Sequence, residues 1–370
     1  MKSFYKIRNA IIGWKYRNIV KRIAFNFNPE FVHNHFVRVG KFLGYFGLTK
    51  RLTSFFFNFE DKILEQNVLG ISFKNPVGLS AGFDKEAELT DIIPSIGFGF
   101  EEVGSITAFP CKGNKGKRLW RVPKLQSILV YYGLKNGGSE VIFNRLSHKT
   151  FRIPVGTNIA MTNCKENEDI DSAILDYAKS FEKFSTLGHY TTINISCPNT
   201  SGGQPFMEPH NLERLLVRLD TIPTTKPVLV KISPDISMGE LDQIIDCLKK
   251  HRVAGIICSN LTKNSQLKKE NNLPMYGGLS GKPTEEYSLR QISHIYKREG
   301  NRFVIIGVGG VFGAEDAYKK IKAGASLVEF ITGMIYKGPS VVSDINMGLV
   351  ELLKRDGFKN ISDAIGKDSV

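Results

Sequence analysis

From residue 75 onward the chain alternates, eight times over, between short apolar runs rich in β-branched residues and longer stretches with helical periodicity. That alternation leaves few folds open, because parallel strands joined through helices form a sheet that must be buried on both faces. The strand-like runs cover residues 75–82, 98–107, 154–160, 191–197, 227–233, 255–260, 303–310 and 326–333. Helical patterns occupy 170–184, 212–219, 238–250, 285–298 and 314–323 between them. Eight such units predict an α/β fold, a (β/α)8 TIM barrel, whose chemistry belongs at the C-terminal ends of its strands. Two long insertions, 112–144 after the second run and 262–283 after the sixth, leave from those ends and are expected to roof the active site.

Composition removes several classes. With 42% hydrophobic and 23% charged residues, a sizeable globular core is within reach. The five cysteines show no CxxC pair, so neither a disulfide framework nor a zinc site is expected, and a reducing compartment follows. His33 and His35 form an HxH without a further ligand, and no metal is expected. The net charge of +14 suggests nucleic acid until its placement is read. Residues 1–50 hold ten Lys or Arg against Glu30 alone, a surplus of nine, which leaves five for everything after.

That basic segment is also apolar at helical spacing, through Phe4, Ile7, Ile11 and Trp14, then Val32, Phe36, Val39, Leu43 and Phe46 beyond the Pro29 break. Residues 1–58 are therefore expected to form an amphipathic helical extension lying on an anionic membrane surface, with 59–370 as the barrel. Lys6, Arg8, Lys15, Arg17, Lys21 and Arg22 would meet the headgroups. No run is long enough for a membrane span, and 10–14 is too short for a signal peptide core. Peripheral attachment follows, at the cytoplasmic face if the membrane is bacterial.

Candidate chemistry clusters at the strand ends. Asn194-Ile195-Ser196-Cys197-Pro198-Asn199-Thr200 leaves one thiol between carboxamides after the fourth run. A thiol there can accept a proton or act as a nucleophile, or it can be a small buried hydrophobe. Lys85 follows the first run and Lys231 ends the fifth, where a lysine is better placed to face an anionic ligand than solvent. Gly277-Gly278-Leu279-Ser280-Gly281, Gly307-Val308-Gly309-Gly310 and Thr332-Gly333 can cradle a phosphate with backbone amides. The rival reading of Gly307-Val308-Gly309-Gly310, a dinucleotide loop with Glu329 as its acid, does not fit a barrel count.

Taken in order, Asn75-Pro76-Val77-Gly78-Leu79-Ser80-Ala81-Gly82-Phe83-Asp84-Lys85, the Asn194 to Thr200 segment, Gly277-Gly278-Leu279-Ser280-Gly281-Lys282-Pro283 and Ile305-Ile306-Gly307-Val308-Gly309-Gly310 resemble the dihydroorotate dehydrogenase family. Phe27-Asn28-Pro29-Glu30 with His33 is similar to the membrane-associated, quinone-reducing class of that family. The resemblance implies an FMN flavoprotein that oxidises (S)-dihydroorotate to orotate in pyrimidine biosynthesis and passes the electrons to a membrane quinone. It implies a base that removes a proton from ring carbon 5 while a hydride leaves carbon 6, with Cys197 at the base position. Lys231 would stabilise the reduced flavin, and Lys85 would reach both flavin and substrate carboxylate. The other flavin positions fall on Ala81, Gly82, Ser105, Asn158, Asn194, Ser259, Gly278, Gly309, Ile331 and Thr332. Substrate positions fall on Tyr132, Gly133, Leu134, Asn194, Asn199 and Asn260. The N-terminal helices would form the quinone tunnel, and no nucleic acid or obligate protein partner is implied.

Three positions depart from the family pattern. Cys197 stands where the quinone class carries Ser, and Val130 replaces a substrate-binding Asn. Leu261 follows Asn260 where the family has Thr. Losing two polar partners weakens discrimination for a polar ring. Either Asn136 and its neighbours compensate, or the substrate is not quite dihydroorotate. A related FMN barrel oxidoreductase acting on another dihydropyrimidine or enone therefore stays open, as does a non-catalytic basic membrane-binding protein.

Overall fold

The computed structural model describes residues 2–200 and 202–369. Its centre is a closed ring of eight parallel strands: Val77–Leu79, Phe100–Ile106, Val155–Ile159, Tyr190–Asn194, Val228–Lys231, Val253–Cys258, Val304–Val308 and Leu327–Phe330. Each overlaps a run expected from sequence. They pair in chain order, and the eighth closes on the first through Val328 opposite Val77 and Phe330 opposite Leu79. The outer helices follow from apolar spacing and caps. In Ile170–Phe184 the Asp169 carboxylate accepts from the Ser172 amide at 2.8 Å, and Ala173, Tyr177, Phe181 and Phe184 bury one stripe against the barrel.

The N-terminal end of the ring is plugged by a hairpin that sequence periodicity does not reveal. Gln66–Val68 pairs antiparallel with Ile71–Phe73, and Val68 and Phe73 pack onto Phe100, Tyr190, Leu229, Ile257 and Ile306. The turn runs through Leu69 and Gly70, both at positive φ (55° and 76°). A two-residue turn with both φ positive matches strand twist, but Asn-Gly is its usual signature and leucine is not.

At the opposite end the two insertions combine, as expected of a roof. Leu119–Val122, Ser127–Val130 and Gly278–Leu279 form one antiparallel sheet, with Val130 opposite Gly278. Roof and mouth are thus built from loops after the second and sixth strands.

Residues 2–57 are almost wholly helical: Lys2–Lys15, a π-helical turn Tyr16–Val20, Lys21–Ala24, Pro29–Tyr45 and Gly47–Phe57. The first helix lies on the barrel differently from the expected orientation. Arg8 is buried (7% exposed), and its guanidinium donates to Phe55 O, Asn58 O and Ser343 Oγ. Asn9 donates to Asp344 Oδ1 at 2.8 Å, and Lys6 pairs with Glu351 at 2.7 Å. Arg8 therefore does not meet headgroups: it caps the carbonyl end of Gly47–Phe57 and ties it to the barrel's last long helix. Phe4, Ile7, Ile11 and Trp14 point outward, and Lys15, Arg17 and Arg22 remain exposed. No described helix is long and apolar enough to cross a membrane.

Candidate active site

One cavity of about 490 Å³ runs from the barrel mouth to the N-terminal helices. Its inner end is lined by Ala81, Gly82, Lys85, Ser105, Asn194, Cys197, Asn199, Lys231 and Asn260, with Ile331 and Thr332 at the side. Tyr132, Gly133 and Leu134 enter from the roof. Fourteen of the positions singled out from sequence thus share one surface. Asn158, Ser259, Gly278 and Gly309 stand behind it: Asn158 supports Ser105, Ser259 bonds Gln291, and Gly278 lets the roof lie against Leu261 and Pro198. At Gly278 a Cβ would fall 2.6 Å from Leu261 Cβ, so no larger residue fits without moving the roof.

The inner end is organised by a chain of hydrogen bonds with one direction. Asn260 Nδ2 donates to Asn194 Oδ1 (3.1 Å), Asn194 Nδ2 to Ser105 Oγ (3.0 Å), and Ser105 Oγ to Asn158 Oδ1. The chain ends on Asn158, whose Nδ2 is a buried donor with no partner among the described residues. Such an orphan is costly unless a ligand completes it. Asn199 Oδ1 and Tyr132 OH are likewise buried and unpartnered beside the cavity. These groups suit a planar ligand with amide-like edges, while the open side of Gly82 (φ 105°) and the Ser280–Thr332 hydroxyl pair (2.8 Å) give room and donors for a phosphate. A flavin mononucleotide has both features, and these residues fit it.

Cys197 is half-buried at the end of the fourth strand. Gln204 Nε2 donates to Ser196 O and Ser196 Oγ to Lys231 O, which pins the backbone beside it. Burial pushes the thiol up to about 11, with the Asn199 amide pulling the other way. Lys85 lies 4.2 Å from the centre of the Tyr132 ring and 3.3 Å from His33 Nε2. Burial lowers it to about 8, against the pull of Glu30 and Asp84.

Asn136 does not replace the carboxamide missing at Val130. Its side chain is buried in the roof loop, donating to Thr107 Oγ1 and Leu134 O at 2.8 Å and accepting from Gly138 N. Val130 and Leu261 both face the cavity, so the substrate roof is more apolar than a uracil-like ring requires.

The outer end is a different solvent. Val32, Phe36, Val39, Leu43 and Phe57 wall it, and its polar groups include His33, Tyr16, Thr53 and Arg121. Arg121 is held by Phe27 O (2.8 Å) and lies 4.6 Å over the Phe25 ring; burial lowers its pKa from the usual arginine value. Glu30 ties this end to the roof through Arg118 and, at 3.5 Å, Lys135. Sequence reasoning passed over Arg121 and Glu102, and quoted Glu30 only within the Phe27-Asn28-Pro29-Glu30 motif without a role. Only Glu102 leaves a signal, as an acid inside an apolar strand.

The barrel thus carries one chamber that is polar at its inner end and apolar at its outer end, with room for a planar, amide-edged ligand at the first and an apolar ligand at the second. The family profile described as dihydroorotate dehydrogenase matches residues 63–353. A dihydroorotate dehydrogenase (quinone) from Synechocystis sp. is 40% identical over 324 residues, covering 85% of each chain. One from Christiangramia forsetii is 39% identical over 343 residues, 91% of this chain and 99% of its own. The DHODH of Eimeria tenella, solved in complex with ferulenol, superposes with a TM-score of 0.81 at 30% identity, covering 92% of this chain and 95% of its own. The chain belongs to the dihydroorotate dehydrogenase family.

Proposed function

We propose that the chain oxidises (S)-dihydroorotate to orotate at the Cys197 end of the cavity and delivers the electrons to a membrane quinone at the end walled by its N-terminal helices. The observation that carries this is the single cavity joining those two environments. Ala81, Gly82, Ser105, Asn158, Asn194, Lys231 and Thr332 would hold FMN, which when bound would supply the hydride acceptor and the electron relay that the chain's own side chains lack. The chain's own groups do the rest. Cys197 Sγ removes the ring proton, Lys85 attracts the carboxylate, and Asn199 and Asn260 orient the ring amides. At the far end Arg121 can donate to a quinone carbonyl within an apolar wall, where such a bond is strong.

Residues 1–58 act as the membrane-docking unit and 59–370 as the flavin barrel. Phe4, Ile7, Ile11, Trp14, Phe31 and Phe42 form an outward apolar surface, with Lys15, Arg17 and Arg22 free to meet anionic lipid. In a bacterium this would be the cytoplasmic face of the cell membrane. Orotate formation with quinone, fumarate and NAD as separate acceptors tests the reading: quinone should support turnover and the other two should not.

The pH dependence has a defined sign. A thiol is neutral below its pKa and only the thiolate accepts a proton, so each added pH unit multiplies the reactive fraction of Cys197 about tenfold. With the thiol raised to about 11, flavin reduction should climb steadily from about pH 6 to 9 without a plateau. A flat profile in single-turnover reduction contradicts the assignment of the base.

The apolar roof favours one specific alternative, a ring less polar than dihydroorotate. For the proposed substrate, Val130→Asn should tighten orotate binding or leave it unchanged, since one added hydrogen bond is worth ~0.5 to 1.5 kcal/mol net. Titration of orotate against flavin absorbance reads this directly. No response from the parent chain at millimolar orotate, with a clear one from Val130→Asn, would favour the less polar ring.

A further inference from the structure

Lys231, at the end of the fifth strand, meets two carboxyl groups on its side away from the cavity mouth, both closed off from solvent. Its Nζ is 3.3 Å from Glu102 Oε2 of the second strand, 3.8 Å from Glu329 Oε2 of the eighth and 3.3 Å from Ser80 Oγ. Both glutamates are wholly buried. One positive charge thus faces two potential negative ones, and an unmatched buried carboxylate is strongly disfavoured. Hydrogen bonding leads to the same place. As carboxylates, both Glu329 oxygens and Glu102 Oε1 are buried with no hydrogen bond of good geometry among the described residues; the Ser80 hydroxyl is the one donor beside Glu329, and Glu102 itself faces it. Around them, Tyr190 of the fourth strand leaves its hydroxyl unpartnered, and Glu101 turns to Asp84. The third, sixth and seventh strands carry no charged residue, and Cys258 of the sixth faces Lys320 of an outer helix.

We infer that Glu102 and Glu329 share one proton, so that together they give Lys231 a single counter-charge and set the net charge beneath the cofactor site. The proton supplies the missing donor and removes the surplus charge in one step, as in other close carboxyl pairs. Burial pushes the Glu329 carboxyl well above its usual range, with Glu102 adding to the effect and Lys231 opposing it. Both glutamates are therefore positioning residues acting through Lys231, which lines the cavity. Either one alone can balance the lysine. Losing both leaves a bare ammonium, which favours electrons on a bound flavin; losing the shared proton at high pH does the reverse.

Infrared spectroscopy of the full chain counts the proton. The wild-type-minus-variant difference, in which every carboxyl group outside the pair cancels, should show one protonated carboxyl C=O band against Glu102→Gln and one against Glu329→Gln, since each variant keeps only an ionised partner. The second readout is the flavin midpoint potential, and it rests on the proposed FMN site. Each single variant should stay within threefold of wild type in its ratio of reduced to oxidised flavin. The double variant should shift at least tenfold toward reduced flavin, about 30 mV for a two-electron couple. Any fall in potential at high pH beyond the flavin's own proton-coupled slope should disappear in Glu329→Gln. A wild type without the band, or a band that survives in either single variant, overturns the inference even if the double variant does not fold. So does a single variant that shifts the potential as far as the double. Failure to bind FMN would count against the proposed function while leaving the infrared result decisive.

Discussion

Cys197→Ala should keep its flavin yet be reduced by dihydroorotate ~10²- to 10⁴-fold more slowly than the parent chain, the usual range for removing a general base. The substitution deletes the only thiol lining the described cavity and leaves the hydrogen-bond chain from Asn260 to Asn158 untouched. Flavin affinity should therefore survive while proton transfer fails. Cys197→Ser should retain more activity than Ala, with its pH profile displaced further to alkali, because a hydroxyl is a weaker acid than a thiol. Stopped-flow reduction of the Ala variant at parental speed would return Cys197 to the role of a small packing residue.

Removing residues 1–58 should divide the two half-reactions. The truncated chain should still be reduced by dihydroorotate and reoxidised by a soluble dye, but its oxidation by quinone should fall by orders of magnitude. One side of the outer cavity's apolar wall comes from this segment, the other from barrel residues such as Leu89, Ile92 and Met334, whereas the larger barrel core contains none of its residues. Stability should fall as well. Gly40 and Gly44 bring the helix Pro29–Tyr45 down onto Leu89 and Ile92, where a Cβ on Gly40 would lie 2.8 Å from Leu89 Cδ2. Exposing each of those side chains costs roughly 1.5–3 kcal/mol. A truncated chain that cannot hold flavin would mean that the helices belong to the barrel's own fold. Quinone kinetics unchanged from the full chain would remove the outer arm from the reaction.

The barrel is legible in sequence because each parallel strand is buried on both faces and each covering helix on one, so hydrophobic period switches with every element. The helix at 170–184 can be placed to the residue, since Asp169 caps it and its apolar spacing is regular. The hairpin Gln66–Val68/Ile71–Phe73 is too short for periodicity, and its turn places a leucine at positive φ. The orientation of the first helix is hidden for another reason. Arg8 reads as one more basic surface residue until the carbonyls of Phe55 and Asn58 come beneath it, a contact spanning 47 and 50 residues. At the site, the fold gathers most residues carried by the motifs. The motifs say nothing of Arg121 on a roof strand, or of Asn136, whose carboxamide the roof loop consumes. Lys231 reads from sequence as a cation awaiting an anionic ligand, because the two acids that meet it lie 129 and 98 residues away.

Anaerobic mixing of the purified full chain with dihydroorotate, followed in flavin absorbance and then challenged with quinone, tests most directly that one cavity serves both half-reactions. The flavin should bleach with one orotate formed per flavin, and its colour should return when quinone is added. Flavin left oxidised by dihydroorotate at millimolar concentration, or bleached flavin that quinone fails to reoxidise, would contradict it.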